Sequence, residues 1–194
     1  MKAYSRYQYG SPDVLRLEDT EPAVPTDEQV LVRVKASAIN AHDWHMLRGK
    51  PYLARLSEGL RRPKERILGL DVAGIVESVG TNVTHVQPGD AVFGSRWGAF
   101  AEYVAGKNFV PIPEGISFEE AASVPTAGQT ALFGLRDKGE LQAGQLVLIK
   151  GPGGGVGTFA VQIAKAMGAE VTAGTGTRRV DLVKSIGAGR GNDF

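Results

Sequence analysis

The pattern of apolar and polar positions changes character partway along the chain. Up to about residue 120 it reads as short strands broken by frequent turns. Val30-Leu31-Val32-Arg33-Val34-Lys35-Ala36 sets apolar residues at every second position around Arg33 and Lys35, the two-residue period of a half-buried strand. Asp71 to Gly80 is a β-branched run closed by glycine, and Pro88-Gly89-Asp90 is a turn. Ala91-Val92-Phe93, Ala99 to Val104 and Phe109 to Ile112 are further short strands. Such strands, separated by Gly and Pro, predict a small barrel or sandwich. Arg48 to Glu65 is basic and irregular and reads as a loop with one helical turn.

Helical patterns then take over. Ser117 offers a hydroxyl cap before Glu119 and Glu120, a good helix start. Ala121 to Val124 continues that helix and Pro125 ends or kinks it. Thr126 to Lys138 suits a second helix, stopped at Gly139. Leu146-Val147-Leu148-Ile149 is an apolar run of the kind found in a parallel strand buried on both faces. Gly151-Pro152-Gly153-Gly154-Gly155-Val156-Gly157 follows as a loop, and Thr158 to Met167 is helical, with Val161, Ala164 and Met167 on one face and Gly168 as the stop. Glu170 to Thr175 is a second strand. Val180 to Ile186 is a second helix, with Leu182, Val183 and Ile186 sharing a face. Strand, helix, strand, helix is the opening of a doubly wound α/β domain. The tail from Gly187 to Phe194 has no periodicity and reads as the end of the pattern.

Composition narrows the class. The 194 residues suffice for one domain or for one and part of another. A net charge of +1 gives no basic excess to favour nucleic acid or an anionic membrane. With no Cys, disulfides and thiolate zinc sites are excluded. No signal-peptide core and no run near the ~18 apolar residues of a membrane span is present, so a cytoplasmic protein is expected. Gly accounts for 26 residues, about twice the usual ~7% share, which predicts tight turns or a backbone that approaches a ligand closely.

The Gly-rich loop between a buried strand and a helix supplies such a place. The first N–H groups of a helix lack internal partners, and the helix dipole adds positive potential there. In the G-x-G-x-x-G spelling Pro152 takes the first Gly position, while Gly154 and Gly157 hold the second and third. A bare strand-to-helix turn is the alternative, but the flanking strand and helix favour a dinucleotide. An NAD-binding unit carries an acid at the end of its second strand. Here that end reads Ala173-Gly174-Thr175-Gly176-Thr177-Arg178-Arg179, with no acid and two guanidinium groups. Arg pairs with a 2′-phosphate, so NADPH is favoured over NADH, unless Arg178 and Arg179 are only solvated residues at a helix start. The candidate cofactor residues are Gly151, Gly154, Gly155, Val156, Gly157, Thr177, Arg178 and Arg179.

Several runs resemble the quinone oxidoreductase branch of the medium-chain dehydrogenases. They are Gly69 to Val76, Pro88-Gly89-Asp90, Ala99-Phe100-Ala101-Glu102-Tyr103, Ala121 to Ala131, Gly144 to Ile149, Gly154-Gly155-Val156-Gly157 and Ala160 to Lys165. The resemblance implies an α/β protein: a GroES-like β-barrel over residues 1–120, then the first half of a Rossmann doubly wound parallel sheet over 121–194, with the active site in the cleft between them. It implies hydride transfer from NADPH to a quinone or activated alkene. Metal-using relatives hold zinc with Cys and His. Those positions are Asn40 and Leu70 here, so no metal is expected. Asn40 and Asp43, in Asn40-Ala41-His42-Asp43, match a motif lining the cleft. Tyr52 is a candidate donor to the acceptor oxygen, and Thr130 matches a position beside the nicotinamide ribose. Each has a plainer role open to it: Asn40 and Asp43 as braces of the loop after a strand, Tyr52 as a packing residue. His42, His45 and His85 show no ligand spacing and read as surface or loop residues.

The expected partner is a small-molecule electron acceptor, with neither nucleic acid nor membrane, and full-length relatives are implied to be homodimers. In relatives the segment after Ile186-Gly187-Ala188 enters a third strand, whereas Gly189-Arg190-Gly191-Asn192 reads as a break. A C-terminally truncated product of low activity is therefore expected. A noncatalytic nucleotide-binding or scaffold member of the superfamily is the alternative. A zinc-free alcohol dehydrogenase is a third reading, disfavoured by the lack of a Lewis acid.

Overall fold

The computed structural model describes residues 1–176 and 179–193. The chain divides into two compact units, Met1–Pro125 and Thr126–Phe194.

The first unit is built on antiparallel strands. β1 (Lys2–Ser5) pairs with β2 (Arg16–Asp19) in a two-stranded sheet. β3 (Val30–Ala38), β4 (Asp71–Val79), β5 (Ala91–Ser95), β6 (Tyr103–Gly106) and β7 (Phe109–Pro111) form a five-stranded sheet in the order β6-β3-β4-β5-β7. The alternation read around Arg33 is realised: Val30 and Val32 are buried and Arg33 and Lys35 exposed. These valines meet Val72, Val76, Val92, Val104 and Phe109 in the main core of the unit. Each such side chain removed from water contributes roughly 1.5–3 kcal/mol. The strand expected from Ala99 starts later, at Tyr103, because Ala99 to Glu102 turns to meet β1, where Ala101 bridges Ala3.

One helix was not foreseen. α1 (Ala41–Arg48) occupies a stretch read as part of a loop, so His42 and His45 lie on a helix. Within Arg48 to Glu65, where one helical turn is expected, the chain forms a 3-10 turn (Tyr52–Ala54) running into α2 (Arg55–Glu58). α3 (Phe118–Ala122) starts at Ser117 with a complete capping box: Ser117 Oγ accepts from Glu120 N–H at 3.2 Å, and Glu120 Oε2 accepts from Ser117 N–H at 2.9 Å. Pro125 lies beyond the end of α3 and opens α4 (Pro125–Leu132), where its missing N–H costs nothing. α4 continues as a π-helical segment, Phe133–Lys138, that stops at Gly139.

The second unit carries a parallel sheet. β8 (Leu146–Lys150), α5 (Gly155–Ala166), β9 (Glu170–Thr175), α6 (Val180–Ser185) and β10 (Arg190–Asp193) alternate along the chain, and the strand order is β10-β9-β8. β10 corrects the reading of the tail. Arg190 to Asp193 pairs in parallel register with Thr172 to Thr175, because ladder hydrogen bonds come from the backbone and tolerate glycines that blur a side-chain pattern.

Burial on both faces of β8 is also corrected. Leu146 is 72% and Leu148 64% exposed, whereas Ile149 is buried. The core of this unit gathers Val147, Ile149, Val171 and Ala173 under Ala160, Val161 and Ala164 of α5 and Val183 of α6. Among the described residues of the unit, only that face of β8 is covered. Leu182, expected on the buried face of α6, is 48% exposed, while Val183 is fully buried. Adjacent helical positions point about 100° apart, so Val183 and, just past the helix, Ile186 meet the core while Leu182 does not.

Candidate functional site

In the second unit the sequence-predicted loop joins β8 to α5. Gly151 takes a φ of 73° at the strand end, a conformation that favours glycine. Its N–H donates to Gly174 O at 3.2 Å, which ties the loop to the end of β9. Gly154 is the N-cap of α5, with φ −94° and ψ 172°, and contributes no side-chain oxygen; the first turn has no acid either. The N–H groups of Gly155, Val156 and Gly157 are therefore first-turn donors without a capping side chain. A Cβ on Gly154 would find its nearest atom 3.8 Å away, so the backbone is open to a ligand there. Gly157 has a different reason to be glycine. A Cβ there would run into the Gly151 carbonyl and stand 2.6 Å from Pro152 Cα, so the loop folds against the helix only without one.

The remaining cofactor candidates surround this turn. A Cβ on Gly155 would come within 3.7 Å of Ala127 Cβ, which sets α4 beside the start of α5. Thr130 lies nearly one helical turn beyond Ala127. It is exposed, and its hydroxyl donates to Thr126 O at 2.6 Å. Arg179 is exposed, and its Nη1 donates to Gly153 O at 2.6 Å, bringing a guanidinium from beyond β9 onto the loop. Thr177 and Arg178 lie outside the described residues. The structure thus brings Gly151, Gly154, Gly155, Val156, Gly157 and Arg179 around one helix N-terminus, with Thr130 further along the neighbouring α4.

In the first unit Asn40 and Asp43 meet at the start of α1. Asn40 is the N-cap, and its N–H donates to Asp43 Oδ2 at 2.8 Å, half of a capping box. Asn40 Nδ2 donates to Asp71 Oδ2 at 3.0 Å. Asp43 and Asp71 are both buried. Burial pushes the Asp43 carboxyl above its ordinary value; Asn40 N–H and His42 oppose that rise and Asp71 adds to it. Asn40 is half-buried, held from two sides by carboxylates. The geometry of Asp43 is that of a brace rather than of a group facing solvent.

Tyr52 follows the other end of α1 and is 66% exposed. Sequence reasoning missed what holds it. Arg55 lies between two rings, its guanidinium carbon 4.9 Å from the Tyr52 centroid and 4.4 Å from that of Tyr9. Arg55 Nε also donates to Gly49 O at 2.9 Å, while the fully buried Arg6 donates through Nη1 to Met46 O. Two cations thus serve the C-terminal end of α1, where helix carbonyls lack partners and the dipole is negative. Burial lowers the Arg6 pKa, and its Nε and Nη2 have no hydrogen-bond partner in the structure. Nothing in the spacing of Arg6, Tyr9 and Arg55 along the chain announces this stack. Among the described residues no group of three or more His, Cys, Asp or Glu is placed to hold a metal ion.

The sequence profile described as the alcohol dehydrogenase GroES-like domain matches residues 26–114, within the first unit. A quinone oxidoreductase of Sus scrofa is 36% identical over 91% of the chain. The first unit thus carries a GroES-like domain of the alcohol dehydrogenase kind, and the chain as a whole is similar to quinone oxidoreductases of the medium-chain dehydrogenases. A second relative, the 2-methylene-furan-3-one reductase of Solanum lycopersicum, is 36% identical over 100% of the chain. A quinone oxidoreductase of Escherichia coli, solved as a complex with NADPH, superposes with a TM-score of 0.85 at 29% identity, covering 100% of this chain and 58% of that one. The chain spans about half the length of the curated relatives it matches, 52% of the tomato and 53% of the pig protein. The fold is accordingly mixed α/β, a GroES-like domain followed by strands and helices of Rossmann type.

Proposed function

We propose that this chain carries the NADPH-binding turn and the acceptor-facing barrel of an oxidoreductase that reduces a quinone or an activated alkene. The observation that supports it most is the N-terminus of α5: a helix with no capping side chain, opened by Gly154 and faced by Arg179. Such an end offers N–H donors and positive potential to a diphosphate, and an Arg near the end of the second strand suits a 2′-phosphate where an acid would suit a ribose hydroxyl. Gly154, Gly155, Val156 and Gly157 would hold the diphosphate, Arg179 with Thr177 and Arg178 the 2′-phosphate, and Thr130 the ribose beside the nicotinamide. When bound, NADPH supplies the hydride.

On the barrel side we assign Tyr52 as hydrogen-bond donor to the acceptor oxygen, held by Arg55, with Asn40 beside the acceptor and Asp43 bracing Asn40. The relatives named above support this acceptor class, since one reduces a furanone carrying an exocyclic methylene and others are quinone oxidoreductases. The test is turnover by the full chain against a panel. Saturable NADPH binding with slow NADPH oxidation by a quinone or an enone is the expected result. Nucleotide binding with no turnover on any acceptor would favour a noncatalytic nucleotide-binding member of the family, and NADP⁺ reduction by alcohols would replace the assignment altogether.

A further inference from the structure

One glycine of the loop has no explanation in dinucleotide binding itself. In the G-x-G-x-x-G register Gly153 falls at a variable position. It is absent from the residues with positive φ, so its backbone does not demand glycine. No backbone atom from elsewhere crowds it either. The three nearest atoms that a Cβ would meet all belong to Arg179: it would collide with Cδ and stand 3.2 Å from Nη1 and 3.3 Å from Cβ. The Arg179 side chain occupies the space beside the Cα of Gly153 and donates from Nη1 to the Gly153 carbonyl.

We infer that Gly153 is a positioning residue for cofactor choice: its bare Cα seats Arg179, and the seated guanidinium reads the 2′-phosphate. The inference rests on the dinucleotide reading above and adds the residue that sets its selectivity. The chemistry is that of a fork. Arg has five N–H donors in a fixed plane. The bond to Gly153 uses one of them, and the rest remain for a phosphate monoester, which a guanidinium meets with two parallel bonds. An Arg already held by the loop loses less freedom when the phosphate arrives than one free in solvent. The other candidate, Arg178, lies outside the described residues.

A Cβ at 153 collides only with a flexible side chain, so Gly153→Ala displaces Arg179 and leaves the loop where it is. The experiment is calorimetric titration of the full chain with NADPH and with NADH, for wild type, Gly153→Ala, Arg179→Leu, Arg179→Lys and the Gly153→Ala/Arg179→Leu double variant. Gly153→Ala is expected to weaken NADPH at least fivefold and NADH by less than twofold. Unchanged NADH binding also shows that the variant folds. Arg179→Leu should lose as much, Arg179→Lys should recover part of it, and the double variant should be no worse than Arg179→Leu, because both changes remove one interaction.

Three results overturn the inference. An unchanged NADPH-to-NADH ratio in Gly153→Ala means that the seat does not matter. Equal losses for both nucleotides mean that Gly153 acts through the loop. Tighter NADPH binding in Arg179→Leu means that Arg179 plugs the site. A wild type that binds neither nucleotide brings down the dinucleotide reading itself and this inference with it, and so is distinct from the first three.

Discussion

Gly154→Ser separates the two things a helix N-terminus can do with its free N–H groups. Gly154 already has the extended N-cap backbone, φ −94° and ψ 172°. A Cβ there has its nearest neighbour 3.8 Å away, so the side chain enters without strain. Ser outranks Gly as an N-cap by a few tenths of a kcal/mol, and replacing Gly at a compatible site adds about 0.4–1 kcal/mol through the unfolded state. For a chain of this size about 1 kcal/mol corresponds to roughly 2–4 °C in Tm. The same hydroxyl would accept from the Val156 or Gly157 N–H and stand where the diphosphate must approach. Losing one hydrogen bond to a charged group costs about 1.5–3 kcal/mol, or roughly tenfold to hundredfold in Kd. The variant is therefore expected to melt higher and to bind NADPH more weakly. Thermal melts followed by circular dichroism, with and without NADPH, give both quantities. A variant that melts higher and binds NADPH as tightly as wild type would refute the assignment of the α5 N-terminus to the diphosphate.

Gly157→Ala is expected to do the opposite on stability: its Cβ enters the space of the Gly151 carbonyl and Pro152, an overpacking cost of about 1–3 kcal/mol that a thermal melt reads directly. Arg55→Leu removes the hydrogen bond to Gly49 and the cation over Tyr52. It should lower stability by about 1–3 kcal/mol and impair acceptor turnover in the same direction as Tyr52→Phe, for which a loss of roughly threefold to tenfold in kcat/KM is expected from one neutral hydrogen bond. Asp43 has its pKa raised in the folded chain, chiefly by burial. Its contribution to stability is thus fullest below the unfolded value of about 3.9 and is lost as pH rises through the folded value. Asp43→Asn keeps an acceptor for Asn40 N–H, so its stability relative to wild type should improve from pH 4 to 7. A constant difference across that range in urea melts would contradict the assigned cause.

Much of the fold was readable because two periods carry it. The alternation around Arg33 and Lys35 and the apolar faces of α5 and β9 are patterns that burial imposes on side chains. α1 escaped notice because only Met46 and Leu47 of its apolar residues are buried, too few to set a helical period. Its signal was local instead: Asn40 and Asp43 at capping-box spacing and Gly49 at the far end. β10 escaped because backbone ladders hold it. The Gly-rich turn was legible as chemistry, since its need for bare backbone is written in glycines. The contacts that orient side chains were not. Arg6, Tyr9, Tyr52 and Arg55 converge from separate segments, as do Gly153 and Arg179, and only folding brings such partners together.

The central claim is that the turn from Gly151 to Gly157, with Arg179, is an NADPH site. The most direct test is equilibrium titration of the purified full chain with NADPH, with NADH as comparison and circular dichroism to show that the protein is folded. Saturable binding with NADPH preferred is the expected result. A folded chain that binds neither nucleotide, or that prefers NADH, would contradict it.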